Sequence, residues 1–202
     1  MAGFCSVTRG LTALCVLWLV ATGIGMVRLL DYSTTAAEPA SAQVGWPSDT
    51  SLAPRPGRAT LVMLAHPRCP CTRATLGELE IIAARTTGLL NIHVIFLRSK
   101  AFDYRSDLWH QARAISGAQV TVDAGGAEIR KFGALASGHV LVYDSRGRLS
   151  FSGGITGSRG HAGGNIGRDA VIALAQTGRA EISTSPVFGC SLREPTEQSQ
   201  WR

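Results

Sequence analysis

A short apolar run followed by two closely spaced cysteines is the feature that most constrains this chain. Residues 60–65 have the length and apolarity of a buried strand. His66-Pro67-Arg68 ends that run, because a proline cannot donate to a sheet ladder. Beyond it, apolar residues recur at helical spacing, and these are Leu76, Leu79, Ile82 and Ala83. The sequence therefore predicts a strand, a turn that carries Cys69 and Cys71, and a helix.

The position of these two thiols has a chemical consequence. A helix N-terminus carries partial positive charge, which stabilises a thiolate and lowers a thiol pKa. The neighbouring Arg68 and His66 can add to that effect. Cys69 lies nearer the turn than Cys71 and is expected to be the more exposed, so it is the predicted nucleophile. Pro70 suits the first helical position, where its missing N–H costs nothing.

The N-terminal 30 residues predict a membrane segment. Residues 10–27 contain no Asp, Glu, Lys, Arg or His, and the run approaches the length of about 20 residues that crosses a bilayer. A cleaved secretory signal peptide is the alternative, with a cleavage site near Ala40-Ser41-Ala42, well beyond the apolar run. We favour an uncleaved signal anchor that comprises residues 1–30, and its expected partner is the lipid bilayer.

The rest of the chain divides by composition. Residues 31–58 are rich in Ser, Thr, Ala, Pro and Gly and predict a flexible tether, with Val44-Gly45-Trp46 as an alternative edge segment of the domain. Residues 59–190 predict one folded domain, and residues 191–202 a polar tail. The signal-like start and the later thiols favour translocation. The expected location is the bacterial inner membrane, single-pass, with the soluble domain facing the periplasm.

Charge and cysteine number narrow the function classes. The net charge is +6, but the arginines are scattered and no aromatic-interleaved basic stripe is present, so no nucleic-acid partner is expected. Of five cysteines, Cys5 and Cys15 lie in or beside the apolar N-terminal segment. Cys69, Cys71 and Cys190 remain, and an odd number indicates at least one chemically available thiol.

Strands and helices alternate along the folded part and end in a hairpin of residues 139–143 and 148–152, followed by a helix that Asn165 caps. This order predicts an α/β fold with a mixed β-sheet flanked by helices. With thiols at the first strand-to-helix turn, it resembles the thioredoxin fold over residues 59–177. It is most similar to membrane-anchored periplasmic proteins of the TlpA and ResA type, or to peroxiredoxins. Val122-Asp123 and the Tyr143-Asp144 hairpin also carry this resemblance.

A smaller group of thioredoxin-like proteins, labelled RedB, is similar in two further segments. These are His-Pro-x-Cys-Pro-Cys, present here as residues 66–71, and Gly-Gly-Ile-Thr-Gly, present as residues 153–157. The resemblance implies a thiol–disulfide oxidoreductase that acts on periplasmic protein thiols and disulfides.

The spacing of the cysteines departs from the Cys-x-x-Cys motif of thioredoxins, in which the first cysteine attacks and the second resolves. If Pro70-Cys71 is aligned with the Pro-Cys end of that motif, Cys71 takes the resolving position and Arg68 takes the attacking position. Aligning Cys69 with the attacking cysteine requires a one-residue deletion, and both alignments stay open. A Cys69–Cys71 disulfide would be strained at this spacing, and strain favours oxidant or isomerase behaviour over strong reduction. The same spacing equally suits leaving both thiols free.

A second departure lies before the hairpin, where thioredoxins place a cis-proline. Here the residues are Ala136-Ser137-Gly138-His139. Glycine adopts unusual backbone angles, so we expect Ser137 and Gly138 to present a backbone edge to a peptide substrate. Cys190 is either a third redox partner, if the tail folds back, or a buried apolar residue beside Phe188.

Metal binding is the alternative chemistry. His66, Cys69 and Cys71 combine imidazole with soft thiolates, which suits Cu(I) or zinc, and Cys190, His139 or His161 could complete the set. Copper chaperones of the Sco type place such a site on a thioredoxin fold, although their Cys-x-x-x-Cys is absent here. The spacing matches no recognised zinc pattern. The favoured hypothesis needs no cofactor, and the alternative is a copper or zinc carrier without redox turnover.

Overall fold

The computed structural model describes residues 2–38, 40–98 and 104–192. The chain forms two compact units, Met1–Thr35 and Ala36–Arg202. Helix α1 (Ala2–Thr34) makes up the first unit. Its part Gly10–Thr34 is long and apolar enough to cross a membrane, and a signal sequence near an N-terminus meets the same criterion. The predicted apolar N-terminal helix is therefore present.

The second unit is built on a mixed β-sheet. Its elements in chain order are β1 (Ala59–Ala65), α2 (Pro70–Arg85), β2 (Leu90–Arg98), α3 (Asp107–Ala114), β3 (Ala118–Ala124), α4 (Ala127–Lys131), β4 (His139–Tyr143), β5 (Leu149–Gly154), α5 (Ile166–Thr177) and β6 (Thr184–Ser185). The described strands lie in the order β3-β2-β1-β4-β5-β6. Strands β1, β2 and β3 are parallel, and β4 runs antiparallel to both β1 and β5. The predicted mixed sheet is confirmed, and β6 is an addition that the sequence did not predict.

Two apolar layers cover the two faces of the sheet. Successive side chains of a strand point to opposite faces. Accordingly, Leu61 and Met63 of β1 join the core layer with helices α2, α3 and α5, whereas Val62 and Leu64 join the layer with α4. All four side chains are fully buried. Because β1 is central and apolar on both faces, its carboxyl end is a rigid support for the turn that follows.

Part of residues 31–58 differs from the predicted flexible tether, and the alternative of Val44-Gly45-Trp46 as an edge segment is borne out, because Gly45 forms an antiparallel bridge with Arg148. Helix α1 continues to Thr34, and the amide of Ala37 donates to the Val187 carbonyl oxygen at 2.7 Å. Trp46 packs edge-on against Tyr143 at 5.2 Å between ring centroids, and Leu52 is buried. The physical reason is that α4 leaves apolar surface open on its face of the sheet, and these side chains cover it.

The folded domain also continues beyond its predicted end at residue 190. The Leu192 side chain is buried, and its amide donates to the Leu135 carbonyl oxygen at 2.8 Å. An antiparallel bridge joins Ser191 to Ala136. Of the predicted polar tail, residues 193–202 lie outside the described residues.

Candidate active site

The turn between β1 and α2 places Cys69 at the N-cap of the helix. Its backbone is extended (φ −96°, ψ 125°), and Pro70 is the first helical residue. Proline fits this position because an N–H there would have no partner within the helix. The Arg73 amide donates to the Cys69 carbonyl oxygen at 3.3 Å, which begins the helix. The predicted strand, turn and helix are confirmed, with Cys71 in the first helical turn.

Three thiols meet at this helix start. The Sγ atoms of Cys69, Cys71 and Cys190 all lie within 4.8 Å of one another. Those of Cys69 and Cys190 are hydrogen-bonded at 2.9 Å, and all three cysteines are free of disulfides. Of the two alternatives for Cys190, the structure supports the one in which the tail folds back onto the site.

The thiols are less accessible than the sequence suggests. Cys69 is 2% exposed and Cys71 is 4% exposed, whereas Cys190 is half-buried. The expectation that Cys69 is the more exposed thiol of the pair is therefore wrong. The physical reason is that the backbone around Cys190 lies along the loop before β4, which sets the Cys190 sulfur against Cys69.

The three thiols differ in acidity. Hydrogen bonds from Cys190 and Cys71 hold the pKa of Cys69 well below its usual range, and they outweigh burial. The pKa of Cys190 is raised by its hydrogen bonds with Cys69 and Cys71 and by burial. For Cys71, a hydrogen bond with Cys190 lowers the pKa, but hydrogen bonding to Cys69 and burial outweigh it and raise the pKa overall. Cys69 is thus the most acidic thiol of the cluster.

Two buried hydroxyl groups hold the β1–α2 turn in place. The His66 amide donates to Thr72 Oγ1 at 3.2 Å and to Ser137 Oγ at 3.1 Å. The Thr72 and Ser137 hydroxyls are also hydrogen-bonded to each other, and both residues are fully buried. Strand β1, helix α2 and the loop before β4 are joined at one point, so the turn that carries the thiols has little freedom to shift.

The His66 side chain belongs to the turn rather than to the thiol cluster. Its Nδ1 accepts a hydrogen bond from the Arg68 amide at 3.2 Å, and Arg68 itself is exposed. Burial lowers the pKa of His66, more than the charge of Cys69 raises it. In the part of the chain that the structure describes, the donor atoms close enough to hold a metal ion are the three Sγ atoms. This group contains Cys69 and Cys71 of the set suggested by the sequence, together with Cys190, which was one of the residues expected to complete that set, and it does not contain His66.

The backbone edge expected to receive a peptide substrate is covered by the chain itself. The Ser137 amide donates to the Cys190 carbonyl oxygen at 2.8 Å, and the Gly138 amide donates to the Leu64 carbonyl oxygen at 2.7 Å. Gly138 has a φ of +82°, and a Cβ there would lie 2.7 Å from Thr75 Oγ1. Glycine is therefore required at this point of the loop. Segment 187–192 thus lies along the loop at Ser137, and the Gly138 amide is bonded to β1.

Two features of the site were not predicted from the sequence. A Cβ at Gly189 would collide with the Ser137 carbonyl oxygen, so glycine is needed where segment 187–192 approaches the loop. Arg159 Nη1 donates to the Gly189 carbonyl oxygen at 2.8 Å. Neither Gly189 nor Arg159 lies in a local sequence pattern that indicates these contacts.

A buried ion pair braces the same helix from the other side. Glu78 of α2 is 1% exposed, and its Oε2 accepts from Arg168 Nη1 at 2.8 Å. Its Oε1 accepts from the Gly163 amide at 2.6 Å. The glycine-rich loop after β5 is thereby held against α2, which is a structural role for that loop.

No protein-family model and no curated protein matches this chain. In structure it is similar to a hypothetical protein from Sinorhizobium meliloti 1021 (TM-score 0.59, 20% identity, 77% of this chain and 97% of that one). It is also similar to an uncharacterized conserved protein from Geobacillus kaustophilus (TM-score 0.56, 17% identity, 81% of this chain and 93% of that one).

The described sheet decides the fold. Parallel β1 and β2 are followed by the antiparallel β4–β5 hairpin in the order β2-β1-β4-β5, with the cysteines at the β1–α2 turn. The fold is thioredoxin-like. A more distant similarity is to a secreted disulfide oxidoreductase of Mycobacterium tuberculosis that is homologous to E. coli DsbE (TM-score 0.43, 14% identity, 59% of this chain and 81% of that one).

Proposed function

We propose that this protein is a membrane-anchored thiol–disulfide oxidoreductase that acts on periplasmic protein thiols through its Cys-Pro-Cys motif. The observation that carries the proposal is the meeting of three free thiols, with Sγ atoms within 4.8 Å, at the N-terminus of helix α2. Neighbouring thiols at a helix start are the arrangement that forms and breaks disulfides by exchange. The acidity of Cys69 relative to its neighbours supports the same chemistry.

The reaction begins with the Cys69 thiolate. It attacks one sulfur of a client disulfide, the client S–S bond breaks, and one client sulfur leaves as a thiolate. A second thiol of the cluster then attacks Cys69 Sγ in the mixed disulfide, and the other client sulfur leaves. Two electrons pass from the protein to the client, and the reverse sequence oxidises a client dithiol. By alignment with the thioredoxin motif, Cys71 holds the position of this second thiol.

The charge on Cys69 determines when the second thiol can deprotonate and attack. While Cys69 is a thiolate, its negative charge and its hydrogen bonds help to raise the pKa of Cys71. That charge disappears when Cys69 enters a mixed disulfide, so the neighbouring thiol then deprotonates more easily. His66 and the hydroxyls of Thr72 and Ser137 contribute by holding the turn in place, and His66 is a positioning residue in this scheme.

The test is stoichiometric oxidation of a reduced dithiol peptide by the oxidised full-length chain in detergent micelles. Cys69→Ser is expected to lose this activity by at least about 10³-fold, because Cys69 is the proposed nucleophile of the exchange. Cys15→Ser is the matched control, since Cys15 is an exposed thiol of helix α1 and lies outside the thiol cluster. Equal activity of Cys69→Ser and the control would contradict the proposal.

Membrane anchoring has its own test. The proposal expects the chain isolated from bacterial membranes to retain residues 1–30 by intact mass and to resist extraction by alkaline carbonate. A chain that begins beyond residue 42 would identify a cleaved signal sequence instead. Digestion of residues 36–202 by protease added to spheroplasts is expected for a domain that faces the periplasm.

The three-thiol cluster supports copper or zinc carriage as a second candidate function. Three soft sulfur donors suit Cu(I) or Zn²⁺, and the residues that would hold the metal are Cys69, Cys71 and Cys190. Titration of the reduced chain with Cu(I) against a competing chelator tests this candidate. Stoichiometric binding together with failure to form any disulfide would favour the carrier over the oxidoreductase.

A further inference from the structure

We propose that Cys190, rather than Cys71, is the disulfide partner of Cys69, and that segment 187–192 occupies the client-binding edge as an internal substitute for a client peptide. The inference rests on the proposed function and deepens it. It assigns a resolving residue, and it defines the client as an extended peptide that carries cysteine.

The sulfur positions are the first support. Cys69 and Cys190 Sγ lie 2.9 Å apart and are already hydrogen-bonded. Cys71 is held within the first turn of α2, two residues from Cys69, where closing a disulfide would strain the helix start. Cys190 lies outside any helix or strand, on a segment that can adjust its position without distorting α2. The geometry therefore favours the long-range pair.

The backbone around Cys190 is the second support. The Ser137 amide donates to the Cys190 carbonyl oxygen, and the Leu192 amide donates to the Leu135 carbonyl oxygen, each at 2.8 Å. An antiparallel bridge between Ala136 and Ser191 lies between these bonds. This is how an extended peptide adds to an exposed backbone edge. A client that uses the same amide and carbonyl groups must displace the segment, so client and segment exclude each other.

Several close contacts hold segment 187–192 against the loop before β4. Glycine at position 189 is required by the Ser137 carbonyl, and Arg159 clamps the Gly189 carbonyl oxygen at 2.8 Å. Val187 is buried, and its carbonyl accepts from the Ala37 amide. The segment is thus held at several points by groups that would otherwise be left without these partners.

Release of the client needs only the mixed disulfide and Cys190, and a separate reductant closes the cycle. In the mixed disulfide between Cys69 and a client, the client backbone leaves the edge while its sulfur stays attached. When segment 187–192 returns, the Cys190 thiol gives its proton to solvent and attacks Cys69 Sγ, and a Cys69–Cys190 bond forms as the Cys69–client bond breaks. The electron pair leaves with the client thiolate, which takes a proton from solvent. A protein dithiol or glutathione then reduces the Cys69–Cys190 disulfide and restores the starting state.

Disulfide mapping of the full-length chain tests the assignment. The protein in detergent micelles is equilibrated with oxidised glutathione, its remaining thiols are alkylated, and it is digested with trypsin without reduction. Trypsin releases residues 69–73, which contain both Cys69 and Cys71, and residues 180–193, which contain Cys190. We expect these two peptides to be linked to each other, with Cys71 alkylated. We also expect Cys71→Ser to keep the link and Cys190→Ser to lose it.

A variant of Gly189 tests the position of segment 187–192 without changing any cysteine. Gly189→Ala leaves every cysteine in place but forces the segment off the Ser137 carbonyl. Its Cys69–Cys190 disulfide is expected to be at least about tenfold easier to reduce with glutathione, because the effective concentration of Cys190 falls. Its exchange with a dithiol peptide is expected to be faster, because the edge is open. Gly77→Ala is the matched control, since a Cβ there meets nothing within 4 Å.

The outcomes divide cleanly. An internal disulfide within peptide 69–73, retained in Cys190→Ser, would overturn the inference and leave the oxidoreductase function standing. Absence of any disulfide together with absence of exchange would overturn both. Linkage of peptides 69–73 and 180–193 in the wild type, weakened in Gly189→Ala and unchanged in Gly77→Ala, supports the inference.

Discussion

The Sγ atoms of Cys69 and Cys190 lie 2.9 Å apart, although 121 positions separate the two residues in the chain. The contact is formed by backbone pairing of segment 187–192 with the loop before β4. It places a hydrogen-bonding thiol beside Cys69 and at the same time covers Cys69. Acidity and accessibility of this thiol are therefore coupled, and both depend on whether the segment is seated.

The acidity of Cys69 can be followed by alkylation. The hydrogen bond from Cys190 is the largest contribution that lowers the pKa of Cys69. Replacement Cys190→Ala removes this hydrogen bond, so the midpoint of a plot of Cys69 alkylation rate against pH is expected to move upward by about one unit or more. The rate at high pH is expected to rise as well, because Cys69 is uncovered. An unchanged midpoint would mean that Cys190 does not lower the pKa of Cys69.

Buried histidine predicts a loss of stability in mild acid. Burial lowers the pKa of His139 to about 4, from 6.5 in the unfolded chain. As pH falls from 6.5 to 4, the unfolded chain takes up a proton that the folded chain does not, so the free energy of unfolding decreases by up to ~3 kcal/mol. Burial shifts His66 and His93 in the same direction. Urea unfolding at pH 7 and pH 5 measures the decrease, and His139→Gln is expected to reduce it.

The ion pair between Glu78 and Arg168 predicts a strong asymmetry between single and double variants. Arg168→Met leaves the buried Glu78 carboxylate without its cation and is expected to lower the free energy of unfolding by about 3 kcal/mol or more. Replacing both residues with apolar ones, as in Glu78→Leu with Arg168→Met, is expected to cost less than the single change. Denaturant unfolding of the three chains checks this, and an additive double variant would show that the two charges do not interact.

The segment before β1 carries stability of its own. Leu52 is 7% exposed and packs in the core layer with α4, so Leu52→Ala is expected to cost about 2–4 kcal/mol. Val44 lies in the same segment but is 78% exposed, and Val44→Ala is expected to change stability by less than about 0.5 kcal/mol. If both variants unfold at the same denaturant concentration, the segment does not contribute to the core.

The local part of the site was predictable from sequence because it rests on short-range rules. A buried strand, a proline at the first helical position and an apolar stripe from Leu76 onward define the β1–α2 turn without reference to the rest of the chain. The hairpin and the Asn165 cap of α5 followed from equally local signals, and the cap is confirmed by its hydrogen bond with the Arg168 amide.

The remaining features depend on contacts between distant residues. Burial of Cys69 comes from a segment more than a hundred residues away, so no local pattern could indicate it. Trp46 belongs to the segment that the sequence offered as an alternative edge of the domain, whereas Leu52 shows no strand or helix period, and only the uncovered surface beside α4 gives it a place to pack. His66 matched a metal ligand by its spacing from the cysteines, but its Nδ1 is engaged by the Arg68 amide.

Glutathione redox titration of the full-length chain in detergent micelles, with alkylation and intact mass as the readout, tests the central claim most directly. The account predicts one reversible two-electron transition. For such a couple, a tenfold change in the equilibrium constant with glutathione corresponds to about 30 mV in reduction potential. The transition is expected to be absent in Cys69→Ser and unchanged in Cys15→Ser. If the wild-type cysteines stay reduced at every glutathione ratio and instead bind Cu(I) stoichiometrically, the account is contradicted.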